Sequence, residues 1–287
     1  MLRIAIPNKG RLSEAATDLL RRAGLRAQPR SDRALVASLG RDFQAVFVRA
    51  GDIPEFLADG AAELGITGAD ILAESEQALD QVLDLGFGRC RLVVAVREDS
   101  GIERPADVPP DSRVATSFPA TARRFFDGLG IGVQTASISG AVEIMPHLGV
   151  ADVIVDLTST GSTLRVNGLK DIGTIMESTA RLVARPEAME DEASRRQVEG
   201  LVLALESVLR AQEKRYLMAN VPRDRLEEVK RIIPGLSGPT IVDVLDGNGW
   251  VAAHAVVDAD DVYETIADLK DVGAEGILVT PIERLTP

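Results

Sequence analysis

Cysteine is all but missing from this chain: Cys90 stands alone. One thiol excludes both an intrachain disulfide framework and a cysteine-rich metal site. Histidine is nearly as scarce. His147 and His254 lie far apart without ligand spacing, so they are read as structural residues and no protein-built metal cage is expected. Positive charge is also in deficit, with 32 Lys and Arg against 44 Asp and Glu, a formal charge of −12 and a pI near 4.8. Broad binding to nucleic acid or an acidic membrane surface is thereby excluded, because either needs an extended basic face. Any anionic ligand has to be held by local cations. No apolar run approaches the length of a membrane span. Met1 to Ile6 enters a strand pattern directly, with no leader-like segment, so a cytoplasmic location is expected.

What is present is an ordinary globular composition, 45% hydrophobic and 26% charged over 287 residues, enough for two or three domains. The most informative stretch runs from Gly149 to Leu164. Val153, Ile154 and Val155 read as a strand covered on both faces, closed by Asp156. Hydroxyl residues and a glycine follow at once, Thr158-Ser159-Thr160-Gly161-Ser162-Thr163. A helix starting near Gly161 would add its N-terminal partial charge, so this turn suits a phosphate. Asp156 can accept hydrogen bonds from vicinal hydroxyls, and the two features together suit a phosphorylated ribose.

Strand and helix patterns alternate along most of the chain. Leu2–Ile6 is a strand, Pro7-Asn8-Lys9-Gly10-Arg11 a loop, and Leu12–Ala23 a helix ended by Gly24. Ala34–Leu39 and Phe43–Val48 form a strand pair, and Arg49 follows the second strand. Leu64-Gly65-Ile66 leads into a small-residue loop that ends at Asp70. Val82–Leu85 and Arg91–Val96 are expected to cross between lobes around Gly86-Phe87-Gly88, with a second lobe beginning near Cys90 and Glu103–Pro110 as a proline-rich connector. Its strands are expected at 113–116, 133–138 and 152–155, and its helices at 121–128 and 141–148. Ile172–Met176 and Ala180–Ala184 are further strands, the second returning to the first lobe. A helix over 190–214 buries Val198, Leu201, Val202, Leu205, Val208 and Leu209. Beyond it, residues 215–279 spell βαββαβ with a hairpin turn at Asp246-Gly247-Asn248-Gly249. The expected fold is therefore α/β: two doubly wound lobes on the plan of type II periplasmic binding proteins, plus a C-terminal ferredoxin-like domain. The boundaries are 1–89 with 179–213, 90–178, and 214–287.

The runs Gly140-Ala141-Val142-Glu143, Leu148-Gly149-Val150-Ala151-Asp152, Asp156 and Ser159 to Leu164 closely resemble the signature of the ATP phosphoribosyltransferases. Pro7 to Leu12, Leu64 to Asp70 and the C-terminal extension are also similar, so the resemblance covers essentially the whole chain. It implies transfer of phosphoribosyl from PRPP to N1 of ATP, releasing pyrophosphate, as the first step of histidine biosynthesis. Asp156 would hold the ribose hydroxyls, and Leu157, Thr158, Ser159, Thr160, Gly161, Ser162 and Thr163 the PRPP phosphate. Lys9, Arg11 and Arg49 would neutralise pyrophosphate or ATP phosphates. Arg33 is a weaker candidate for the same task. Glu143 and Asp70 remain equal candidates for holding ribose or taking the adenine amino proton. Mg²⁺ is implied, carried mostly by pyrophosphate.

The C-terminal domain resembles that of the long form of the family, which implies feedback inhibition by histidine, with Asn220, Leu236, Thr240 and Gly276 as effector contacts. The resemblance also implies dimers that associate into hexamers. Two other readings compete: a two-lobed cytoplasmic ligand-sensing module without catalysis, and a phosphoribosyltransferase with a different nucleophile.

Overall fold

The computed structural model describes residues 1–29, 34–245 and 249–286. Two compact units divide it, residues 1–21 with 25–198, and residues 22–24 with 199–287. In the first unit, β1 (Leu2–Pro7) leads to α1 (Ser13–Arg22), and β2 (Ala27–Pro29), β3 (Val36–Leu39) and β4 (Phe43–Val48) follow. Helix α2 (Ile53–Ala58), β5 (Leu64–Gly68), α3 (Ala69–Ser75) and β6 (Asp80–Asp84) complete this run. The chain then builds β7 (Cys90–Arg97), β8 (Arg113–Thr116), α4 (Pro119–Gly128), β9 (Gln134–Ser137), β10 (Val153–Thr158), α5 (Ser162–Val166) and β11 (Leu169–Ser178). It returns through β12 (Ala180–Ala184) to α6 (Pro186–Glu190) and α7 (Glu192–Gln212).

These strands make two mixed sheets, one per lobe. The first has the order β2-β3-β4-β1-β5-β12-β6, with β1 parallel to both β4 and β5. In the second, of order β11-β7-β10-β8-β9, strand β10 is parallel to β8 and β8 to β9. Parallel strands need crossovers, and the crossover helices cover their faces, so the central strands carry apolar side chains on both sides. Val153, Ile154 and Val155 have no exposed surface, and neither do Val93, Val94, Ala95 and Val96 beside them. Each fully buried Val, Ile or Leu contributes about 1.5–3 kcal/mol. The exposed ion pairs scattered over the surface contribute at most about 1 kcal/mol each, so the two cores carry the fold.

The chain passes between the lobes twice, at residues 85–89 and at Thr179. Those passages are pinned together: Leu85 N–H donates to Ala180 O at 2.9 Å and Ala180 N–H to Phe87 O at 2.9 Å. Asp84 accepts from Thr179 Oγ1 at 2.8 Å and from Gly86 N–H at 2.9 Å, and pairs with Arg181. Burial alone would raise the Asp84 carboxyl, but these donors outweigh it and leave it below the usual range.

In the second unit, β13 (Lys214–Pro222), α8 (Leu226–Ile232), β14 (Thr240–Asp243), β15 (Trp250–Asp258), α9 (Val262–Asp271) and β16 (Glu275–Pro281) form an antiparallel sheet of order β14-β15-β13-β16. That is the ferredoxin-like arrangement, with Leu217, Val221, Val251 and Ala253 packed under Val229 and Leu269.

Several sequence expectations are corrected. The helix over 141–148 is instead a single 3₁₀ turn at Val142–Ile144. Pro146 lacks the N–H that would continue an α-helix, and Val142 O is taken by Met145 N–H at 3.1 Å. Glu103–Pro110 joins β7 to β8, and Val108 within it is buried in the second lobe's core. Asp70 lies in the first turn of α3 and not in a loop. Strand β10 does not stop at Asp156; it continues to Thr158, paired with Arg91. Arg33 and most of the Asp246-Gly247-Asn248-Gly249 turn fall outside the described residues.

Strand β5 packs against α2 closely enough to require glycine at its centre, where a Cβ on Gly65 would lie 2.5 Å from Ile53 Cγ2 and 3.0 Å from Leu57 Cδ1. Gly65→Ala should lower stability by about 1–3 kcal/mol in urea unfolding. An unchanged midpoint would show that α2 yields freely.

Candidate active site

In open α/β sheets, ligands bind beyond the carboxyl ends of the parallel strands, where loops and helix N-termini converge. The first lobe brings three such ends together. Asn8 to Arg11 follow β1, Arg49 follows β4, and Gly68 closes β5. Pro7 is in register with Val48, and Asn8 N–H donates to Val48 O at 2.8 Å, so Lys9 and Arg49 share one edge. Both are exposed, and neither has a carboxylate partner among the described residues. Arg11 is placed differently. Its Nη1 donates to Gly88 O at 3.0 Å, and its Nη2 lies 3.5 Å from Asp70 Oδ2.

In the second lobe, Asp156 emerges half-buried near the end of β10. One of its oxygens accepts the Leu157 N–H at 2.8 Å. Burial pushes the Asp156 carboxyl up, the Leu157 N–H draws it partly back, and the Glu143 carboxylate pushes it further up. Glu143 follows β9 on the same sheet edge, and Ala141 before it holds the left-handed conformation at φ 52°. The two carboxylates therefore lie within electrostatic reach of each other on one edge, which favours a positively charged or hydroxyl-rich occupant.

The loop after β10 is pre-formed. Thr158, 8% exposed, accepts Gly161 N–H on its Oγ1 at 2.8 Å. Gly161 takes φ 72°, which glycine adopts without cost, and α5 begins at the next residue. Thr160 and Ser162 hydroxyls lie 3.0 Å apart, and Ser159 Oγ donates to Arg89 O at 3.4 Å. These bonds fix the shape of the turn, while Thr160, Ser162 and Thr163 stay exposed.

Asp156, Glu143 and the hydroxyl loop are gathered on one lobe, Lys9 and Arg49 on the other. Asp70 joins neither group: it is 1% exposed and its carboxylate is engaged by Ser178. Of the two candidates left equal by the sequence, only Glu143 stands beside Asp156. Arg89 and Arg165 were missed. Both are exposed cations without a carboxylate partner among the described residues, one under Ser159 and one a turn beyond Gly161. The four-residue spacing from Gly161 could have flagged Arg165. In the second unit, Asn220 and Gly276 are neighbours, with Asn220 Nδ2 3.4 Å from where a Gly276 Cβ would stand. Thr240 pairs with His254 at the far side of the sheet, three strand spacings or about 14 Å from Gly276. Leu236 is exposed in the α8–β14 loop, so the four residues do not form one cluster.

Two mixed α/β lobes on the plan of the periplasmic binding proteins carry carboxylates and a hydroxyl-rich turn at one sheet edge. The family described as "ATP phosphoribosyltransferase" matches residues 49–207, and "HisG, C-terminal domain" matches 211–284. A relative from Gemmatimonas aurantiaca named ATP phosphoribosyltransferase is 55% identical, covering 100% of both chains. The solved ATP phosphoribosyl transferase (HisG:HisZ) complex from Thermotoga maritima aligns with TM-score 0.63 at 31% identity, over 72% of this chain and 99% of that one. A further structure, Tv2483 bound to L-arginine, aligns at TM-score 0.51 and 14% identity over 74% and 86%, and shares the two-lobed fold alone. This chain belongs to the ATP phosphoribosyltransferase family, the pentosyltransferases of histidine biosynthesis.

A carboxyl raised in the folded protein keeps its proton to higher pH than in the unfolded chain, so it subtracts stability as pH climbs through the range above its ordinary value. Asp156→Asn should therefore melt higher than the parent near neutrality, with the gap shrinking toward pH 4. A gap independent of pH would show that Asp156 is not desolvated as described.

Proposed function

We propose that this chain transfers phosphoribosyl from PRPP to N1 of the adenine of ATP, releasing pyrophosphate, with the two lobes each contributing one part of the chemistry. The carrying observation is the Asp156–Glu143 pair beside a pre-formed hydroxyl turn. Asp156 accepts hydrogen bonds from the ribose hydroxyls, and the negative field of the pair favours the positive charge that develops on the sugar as its C1–oxygen bond lengthens. Thr158, Ser159, Thr160, Gly161, Ser162 and Thr163 cradle the 5′-phosphate, with Leu157 supplying the strand end. Lys9 and Arg49 neutralise the phosphates of the departing pyrophosphate and of ATP, which a chain of net charge −12 could not do except locally. Arg165 and Arg89 extend this cationic rim. Orientation of adenine N1 toward C1 supplies most of the remaining rate.

Mg²⁺ is the ion of choice. Carried chiefly by pyrophosphate oxygens, it needs no dedicated protein cage, and the carboxylates of Asp156 and Glu143 would be the hard oxygen donors at the sheet edge. When bound, it offsets charge on the leaving group.

Residues 214–287 act as a regulatory domain that binds histidine, with Asn220 and Gly276 on one side of its sheet and Leu236 and Thr240 toward the other. The enzyme works in the cytoplasm as a homo-oligomer, dimer to hexamer; no described helix is long and apolar enough to cross a membrane.

With ATP, PRPP and Mg²⁺ the full chain should release pyrophosphate, and Asp156→Ala should weaken PRPP handling by about 1.5–3 kcal/mol, roughly ten- to a hundredfold in kcat/KM. Wild-type kinetics in that variant would place the sugar elsewhere. Histidine should lower the rate of the parent and lose potency against Asn220→Ala; equal potency would move the effector site.

A further inference from the structure

Helix α3 is only seven residues long, yet it is bonded at its start to the passages between lobes and at its end to the second lobe. At the start, Ser178 Oγ donates to Asp70 Oδ1 at 2.5 Å and accepts the Asp70 N–H at 3.1 Å. Ala69 N–H donates to Thr179 O at 3.0 Å. Gly68 makes this approach possible, because a Cβ there would stand 2.1 Å from Asp70 Oδ1. Arg11 bridges Asp70 to Gly88 in the other passage, as described above. A buried carboxylate of the first lobe thus grips both places where the chain changes lobe.

At its other end, α3 reaches across to α4. Glu74 accepts Ala120 N–H on one carboxylate oxygen and Thr121 N–H on the other, each at 2.9 Å. The N-cap position of α4 is Phe118, which offers no side-chain acceptor, so a carboxylate from the opposite lobe does the capping. Both bonds are charge-assisted and aligned with the positive end of α4. One turn further along, Arg124 pairs with Glu76 and donates to Ala73 O, tightening the same junction.

We propose that α3 is the strut that sets the angle between the two lobes, and that Glu74 is a positioning residue for the transfer. It touches no reacting atom. By holding α4, it holds the sheet edge that carries Asp156 and the hydroxyl turn, and so fixes their distance from Lys9 and Arg49. The role of Glu74 in transfer rests on the site reading given above, whereas the strut itself does not. Gly86 and Gly88, at φ 72° and 67°, lie in the passage that would absorb any rotation once the Glu74 junction is cut.

The test uses the full chain with spin labels at Asp59→Cys in the first lobe and Asp127→Cys in the second, both exposed, while Cys90 at 2% exposure stays unlabelled. Pulsed electron resonance without substrates should give one narrow distance distribution for the parent. Glu74→Ala should give a broader one, and Glu74→Gln, which keeps one acceptor, an intermediate one. In steady state, Glu74→Ala should raise KM for both PRPP and ATP by roughly five- to tenfold with kcat within about twofold, because saturating substrates restore the working angle. Should Glu74→Ala fail to fold, Arg124→Ala tests the same junction in the same direction. Identical distance distributions in parent and variant overturn the strut. A fall in kcat at unchanged KM overturns the positioning role by placing Glu74 at the reacting atoms. If the parent releases no pyrophosphate, the site reading fails while the distances still decide the strut.

Discussion

A desolvated carboxylate next to a second carboxylate is an unfavourable thing to build, and the second lobe is arranged so that Asp156 has to bear it. Strand β10 is sealed on both faces up to Val155 and locked between β7 and β8, which holds Asp156 half-buried at the strand's end. Glu143 arrives on the same edge from β9 through a left-handed Ala141. Burial and repulsion hold Asp156 in a state that a sugar hydroxyl or developing positive charge relieves.

The rest of the molecule follows from that imbalance. An acidic chain that handles polyanions must supply positive charge locally, and exposed cations without a carboxylate partner among the described residues stand on both lobes, Lys9 and Arg49 on the first and Arg165 on the second. Lys9 and Arg49 lie on the other lobe from Asp156 and Glu143, so the two sets do not neutralise one another directly. Arg11 illustrates the division of labour. It shares a loop with Lys9 and looks equivalent in the sequence, yet it is committed to Gly88 and Asp70 and serves the passages between lobes.

Local rules made much of this legible. The continuous β-branched run at 153–155 could only be a covered strand, the Thr-Ser-Thr-Gly-Ser-Thr run could only be a polar turn entering a helix, and the βαββαβ order after Lys214 followed from period and turn residues. Local rules also failed where a distant partner intervened. The turn at 142–144 is not such a case, because Pro146 within the segment by itself forbids a helix over 141–148. Asp70 was read as a strand-end carboxylate like Asp156, because nothing near it in the chain reveals Ser178, 108 positions away. Glu74 drew no notice at all, since its partners Ala120 and Thr121 are 46 and 47 residues on.

By itself the sequence determined most strands and helices, where the hydroxyl-rich turn lies, and which family the chain resembles, because hydrophobic period, glycine and hydroxyl spacing act over a few residues. Only the tertiary structure decided which of the look-alike charged residues stay unpaired at a sheet edge and which are tied to the passages between lobes. Burial and hydrogen-bond partners set a side chain's role, and both are contributed by strands far apart in the chain.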